Sequence, residues 1–84
     1  MFMYFVYILQ CVDDTLYTGI TTDLERRMEE HNFSSLGARY TKSRRPVRLV
    51  YSSMFPDRSA ACKEEVRIKK LSRKEKILLI NQDI

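Results

Sequence analysis

What most limits the folding options of this chain lies near its start. Tyr4 to Cys11 is dense in aromatic and β-branched side chains, and after Asp13-Asp14 a second run, Thr15 to Ile20, follows. Such residues suit a pleated, half-buried surface better than a water-exposed helix. An acid pair between them makes a turn, so the two runs predict a β-hairpin. Gly19, near the end of the second strand, gives the backbone freedom there or lets another group approach closely.

Thr22-Asp-Leu-Glu25 fits a capping box, with hydroxyl and carboxylate satisfying free amides at a helix start. The helix is expected to run to about His31, with Leu24, Met28 and His31 on its apolar side, Arg27 at the edge, and Arg26, Glu29 and Glu30 toward water. Asn32 to Gly37 reads as an irregular link, followed by a short helical turn through Tyr40. A third strand is expected over Pro46 to Tyr51, with Val47, Leu49 and Tyr51 on one face and Arg48 and Val50 on the other. Phe55-Pro-Asp57 is a break, and a helix follows with an apolar arc of Ala61, Cys62, Val66, Ile68 and Leu71. With Ala61 at the origin, Ile68 falls near about −20° and Glu65 near about 40°, close to the middle of that arc. A carboxylate there costs desolvation energy unless water, a cation or donors reach it. Glu64 lies nearer the margin. Ser72-Arg-Lys-Glu75 reads as a second capping box, opening a last helix with Ile77, Leu78 and Ile80; residues 81–84 are expected to fray.

Helices after the second and third strands predict a mixed α/β (α+β) fold, a small three-stranded sheet covered by helices. An all-helical chain is the weaker alternative, because the hairpin and Val47 to Tyr51 resist it. With 84 residues there is surface for one core, so a single domain over 1–84 is expected. A composition 44% hydrophobic and 31% charged, with two Gly and two Pro, points to an ordered globular unit. Its apolar runs are too short to cross a bilayer, and the first residues lack a secretory leader's basic start and cleavage site. No membrane association and a cytoplasmic location are the expectation. Cys11 and Cys62 have no partner at metal-site spacing and read as thiols in a reducing compartment.

The net charge is +4, but its placement is more informative. Arg39, Lys42, Arg44, Arg45 and Arg48 fall in one stretch without an acid, and Arg58 to Lys76 holds eight bases against three acids. Such clusters neutralise phosphates or simply solvate a surface.

Against this background, Tyr7, Tyr17, Arg27, His31 and Glu65 form a candidate polar set. A carboxylate can hold Mg²⁺ or Mn²⁺, a guanidinium can stabilise charge gathering on a phosphate, and a phenol or imidazole can order or deprotonate water. Each also has an ordinary structural use. The tyrosines serve as strand aromatics, Arg27 as a surface cation, His31 as a helix-end residue, and Glu65 as half of an ion pair. Whether Tyr7 and Tyr17 meet depends on the hairpin register.

In their order along the chain, several segments carry a specific resemblance. These are Phe5-Val-Tyr7-Ile8-Leu9, Tyr17-Thr-Gly19-Ile-Thr-Thr22-Asp-Leu-Glu-Arg-Arg27-Met-Glu-Glu-His31, Gly37-Ala-Arg-Tyr-Thr41, Arg45-Pro-Val-Arg-Leu-Val-Tyr51 and Ala61-Cys-Lys-Glu-Glu65-Val-Arg-Ile-Lys-Lys70. Together they resemble the GIY-YIG nuclease superfamily, especially its small stand-alone YhbQ/YazA-like subgroup. The resemblance implies a small antiparallel sheet with surrounding helices and metal-dependent hydrolysis of nucleic acid. It also implies Tyr7 as the tyrosine of the first motif, Tyr17 and Gly19 as the ends of the second, Arg27 as the catalytic arginine and Glu65 as the ligand of one Mg²⁺ or Mn²⁺. Glu64 is the alternative in register. His31 matches a histidine recurring four residues after the arginine.

Two departures stand out. Phe5 occupies the glycine position of the first motif, and Ile77 lies where some members carry an asparagine, with Asn81 displaced. The expected activity is therefore that of a DNA-processing or repair endonuclease, full or conditional on a protein partner or homo-oligomer, with DNA favoured over RNA. Arg39, Lys42, Arg44, Arg45, Lys69 and Lys70 are the expected substrate contacts. A nucleic-acid-binding module with weak, conditional or lost catalysis and a structural or protein-interaction domain are the rival readings.

Overall fold

A computed structural model describes residues 3–82. The order of elements is β1 (Tyr4–Gln10), β2 (Leu16–Thr21), α1 (Leu24–Phe33), α2 (Arg39–Lys42), β3 (Arg48–Phe55), α3 (Arg58–Lys69) and α4 (Arg73–Asn81). The three strands form one antiparallel sheet in the order β2-β1-β3. The hairpin turn passes through Asp14 at φ 66°, a left-handed conformation that Asp tolerates better than most residues.

β1 is the central strand and is buried on both faces, with successive side chains pointing to opposite sides. On one face Val6 and Ile8 pack with Ala61 and Ile68 of α3 and with Leu79 and Ile80 of α4. On the other, Tyr7 and Leu9 pack with Cys11 and Val47 and are covered by Leu24 and Met28 of α1. Thus α1 and α3 lie on opposite sides of the sheet. Among the described residues, no helix is long and apolar enough to cross a membrane.

Several local expectations need correction. The N-cap of α1 is Asp23, whose carboxylate accepts from Arg26 N, while Thr21 Oγ1 accepts from Asp23 N. A carboxylate one residue further on replaces the expected Thr22 box. β3 runs longer than expected, to Phe55, and its simple alternation fails at Val50. Ile8 pairs with Tyr51 but Leu9 with Leu49, so Val50 is an extra residue in a bulge. Val50 and Tyr51 consequently both reach the α3 side of the sheet, and Leu49 stays exposed. In α3, Val66 is exposed, and in α4 Leu79 packs inward in place of Leu78. The capping box of Ser72 and Glu75 is present. Helix α4 includes Asn81, with Gln82 as its C-cap, while 83 and 84 lie outside the described residues.

Candidate active site

Tyr7 stands opposite Gly19 across the β1–β2 ladder, and Leu9 stands opposite Tyr17. The two tyrosines therefore share a face as diagonal neighbours. Because Gly19 has no side chain, the Tyr7 ring lies across it; a Cβ there would fall 2.4 Å from the Tyr7 Oη. Close approach, and not backbone strain, is the reason for glycine at this position.

Above this face, α1 presents His31, which is fully buried. Its Nε2 is 2.8 Å from Tyr7 Oη and its Nδ1 is 2.9 Å from Thr41 Oγ1 on α2. Tyr17 meets the same imidazole edge-on, with ring centroids 5.4 Å apart, and stacks on Tyr40, which in turn carries the Arg44 guanidinium 3.9 Å above it. Burial, with help from the cations Arg27 and Arg45 and against the pull of Glu30, pushes His31 down from 6.5 to about 4. The ring is neutral at pH 7. Burial likewise pushes the Tyr7 phenol up to about 12, even though Arg27 beside it pulls the other way.

One turn before His31 on the same helix, Arg27 is half-buried. It donates from Nη1 to the Glu30 carboxylate at 2.7 Å and to the Leu36 carbonyl at 2.9 Å. Glu30, expected to face water, is thus the half-buried anchor of Arg27. Both bonds use one nitrogen, leaving the other N–H groups of the fork for a ligand.

From the opposite layer, α3 supplies the two glutamates flanking its buried arc. Glu64 is clasped on both oxygens by Arg67, at 2.6 and 2.8 Å, which holds its carboxyl below its usual range. Glu65, at 18% side-chain exposure, has an ion pair from one oxygen to Lys69 at 3.3 Å. It makes no direct hydrogen bond to the tyrosines or Arg27, but its negative charge contributes to raising the Tyr7 phenol. No three His, Cys, Asp or Glu side chains gather into a metal cage among the described residues. A single half-buried carboxylate still fits a hydrated Mg²⁺ or Mn²⁺ ion, which keeps waters and takes substrate oxygens.

The basic residues divide into two kinds. Arg39, Lys42 and Lys70 are exposed. Arg44 is tied to Asp13 at 3.0 Å and to the Tyr40 carbonyl, and Arg45 gives its guanidinium to the carbonyls of Glu30, His31 and Ser34 at the end of α1. These two are built into the scaffold. Sequence reasoning passed over Glu30, Thr41 and Asn32, whose amide bonds both backbone groups of Val47 and so fixes the approach to β3. Only Thr41 had a visible signal, as the end of the Gly37-Ala-Arg-Tyr-Thr41 segment.

A family model described as the GIY-YIG catalytic domain matches residues 3–77. The chain belongs to the GIY-YIG family. Among the GIY-YIG relatives, it is 54% identical to a UPF0213 protein of Syntrophus aciditrophicus over 79 residues, 94% of this chain and 91% of the relative. It is also 60% identical over 77 residues to a UPF0213 protein of Desulfotalea psychrophila, covering 92% of this chain and 70% of that one. The solution NMR structure of a UPF0213 protein from Bacillus halodurans superposes with TM-score 0.62 at 44% identity, covering 95% of this chain and 84% of that one. That of the protein EF2693 from E. faecalis gives 0.65 at 38%, covering 96% and 86%. The GIY-YIG fold of three antiparallel strands with flanking helices therefore agrees with the sequence expectation.

Proposed function

We propose that this chain is a metal-dependent nuclease that hydrolyses phosphodiester bonds, in DNA before RNA, and acts as a single domain in the cytoplasm. The observation that carries the reading is the meeting of Tyr7, laid across Gly19, and Tyr17 on the His31 ring, with the charges of Arg27 and, from the opposite layer, Glu65 both acting on the Tyr7 phenol.

Arg27 stays charged at any working pH and is pre-aimed by Glu30 and Leu36, so its free N–H groups stabilise charge on a phosphate as it becomes five-coordinate. Tyr17 is half-buried, and its hydroxyl orients the attacking water by hydrogen bonding. Tyr7, sealed at 1% exposure and hydrogen-bonded to His31, is unsuited to act as the base and supports Arg27 from beneath. Glu65 is the side chain that would hold Mg²⁺ or Mn²⁺, because both oxygens of Glu64 are occupied by Arg67. When bound, such an ion polarises the phosphoryl oxygen and lowers the pKa of water attached to it. Arg39, Lys42 and Lys70 contact phosphates along the strand, and a protein partner or second copy supplies further substrate selection.

The Lys69–Glu65 ion pair favours a second reading, a binding module whose carboxylate is neutralised. Incubating the protein with single-stranded, duplex, flap and branched DNA and with RNA, in Mg²⁺, Mn²⁺ or chelator, separates the two. The nuclease reading expects divalent-dependent cleavage, strongest on DNA. Salt-sensitive binding with no turnover on any substrate would leave the binding module.

A further inference from the structure

Thr41 is fully buried, uncharged, and ten residues beyond His31. Its hydroxyl touches two groups, the Ala38 carbonyl at 2.9 Å and His31 Nδ1 at 2.9 Å. Which of them receives its proton depends on which nitrogen of the His31 ring carries the hydrogen. The Tyr7 hydroxyl makes one hydrogen bond, with His31 Nε2 at 2.8 Å, and lies within reach of the positive charge of Arg27. A guanidinium only donates, so the phenol proton has one acceptor, Nε2.

With Nε2 accepting, a neutral imidazole carries its hydrogen on Nδ1 and donates it to Thr41, whose own proton then goes to the Ala38 carbonyl. The order of donation therefore runs one way, from Tyr7 through His31 and Thr41 to the Ala38 carbonyl. The carbonyl at its end only accepts, so the Thr41 proton goes there and its lone pair is left for Nδ1–H. Reversing it would strand the buried phenol proton with no acceptor. The groups facing the ring are Tyr7 and Tyr17 from the sheet, Thr41 from α2, Arg27 and Glu30 from its own helix, and Arg45 at its carbonyl. Arg27 and Arg45 both disfavour a charged ring, consistent with a neutral one.

We propose that Thr41 is a positioning residue. By accepting from Nδ1 it fixes His31 as the Nδ1–H tautomer, makes Tyr7 the donor to Nε2, and turns the lone pairs of the phenol toward Arg27. Its bearing on cleavage rests on the nuclease reading above, whereas the tautomer stands independently of it.

His31 is the single histidine of the chain, so nitrogen NMR of the isotopically labelled ring reports this site without ambiguity. At neutral pH the wild-type ring is expected to carry its hydrogen on Nδ1, and Thr41→Ser is expected to keep it there. Thr41→Val, which removes the acceptor, is expected to show a share of Nε2–H ring and a kcat reduced about tenfold with KM unchanged, restored in Thr41→Ser. Hydrogen on Nε2 in the wild type, or a mixed ring in Thr41→Ser, would overturn the proposal even if Thr41→Val fails to fold. A folded Thr41→Val protein with wild-type kcat would overturn the positioning role. Absence of cleavage by the wild type would sink the nuclease reading and leave the tautomer standing.

Discussion

Replacing Gly19 with alanine tests the packing that holds the site together. The new Cβ would stand 2.4 Å from Tyr7 Oη, 2.5 Å from Cζ and 3.1 Å from Cε1. Favourable contact begins at about 3.5 Å, so the phenol would have to retreat by about 1 Å. It has nowhere to go, being 1% exposed and bonded to His31 at 2.8 Å. Since Gly19 has no positive φ, the backbone accepts alanine and the whole effect comes from this collision. Overpacking costs ~1–3 kcal/mol and losing the buried Tyr7–His31 bond another ~1–3 kcal/mol, offset by ~0.4–1 kcal/mol from a stiffer unfolded chain. The net is a loss of roughly 1–5 kcal/mol, lowering Tm by about 4 °C or more in a domain of this size. Thermal and urea unfolding of Gly19→Ala, Tyr7→Ala and the double variant read it directly. Without the Tyr7 ring, alanine at 19 has room, and the pair should couple by about 2 kcal/mol or more. A Gly19→Ala protein melting within about 2 °C of wild type, or the same loss in both backgrounds, would refute the packing argument.

The divided roles of the basic residues can be separated in a single binding and stability series. Lys42→Ala should weaken nucleic-acid binding and reduce its salt dependence by about one released counterion while leaving stability alone. Arg45→Lys should lower stability by about 1.5–3 kcal/mol in urea titrations with the salt slope unchanged, because its guanidinium bonds go to backbone carbonyls. His31 makes stability depend on pH. The unfolded ring takes up a proton near 6.5 and the folded ring near 4, so stability is complete above the first value and falls as pH drops between them. Asp13, Glu64 and Glu75, all held low, act only below about 4.5, so a His31→Gln protein should lose the slope above that value. An unchanged urea midpoint profile in His31→Gln would exclude this cause.

Much of the architecture could be read from local chemistry. The Tyr4 to Ile20 hairpin, the helix carrying Arg27 and His31, and the Ser72 box all follow from side-chain preferences acting within a few residues. The misses arise where distant parts decide. One extra residue at Val50 breaks a period of two, and nothing in Arg48 to Tyr51 announces it, because bulges are set by the partner strand. Arg45 looked like a phosphate contact because charge alone does not reveal the carbonyls it meets. Within the site, residue types were legible but partners were not. That Glu30 anchors Arg27, and that Thr41 completes the hydrogen-bond chain of His31, depends on how α1, α2 and the sheet close on one another.

Everything chemical proposed for this chain depends on Glu65 being the carboxylate that serves a site built around Arg27 and Tyr17. The most direct test is the initial rate of DNA cleavage in Mg²⁺ or Mn²⁺ by wild type, Glu65→Gln and Glu64→Gln, each checked by circular dichroism to be folded. The wild type and Glu64→Gln should cut at similar rates, since the Glu64–Arg67 pair, with its arginine exposed, contributes at most about 1 kcal/mol. Glu65→Gln should fall by about 100-fold, corresponding to about 2.7 kcal/mol of lost transition-state stabilisation. Equal rates for wild type and Glu65→Gln, or a loss that follows Glu64 instead, would contradict it.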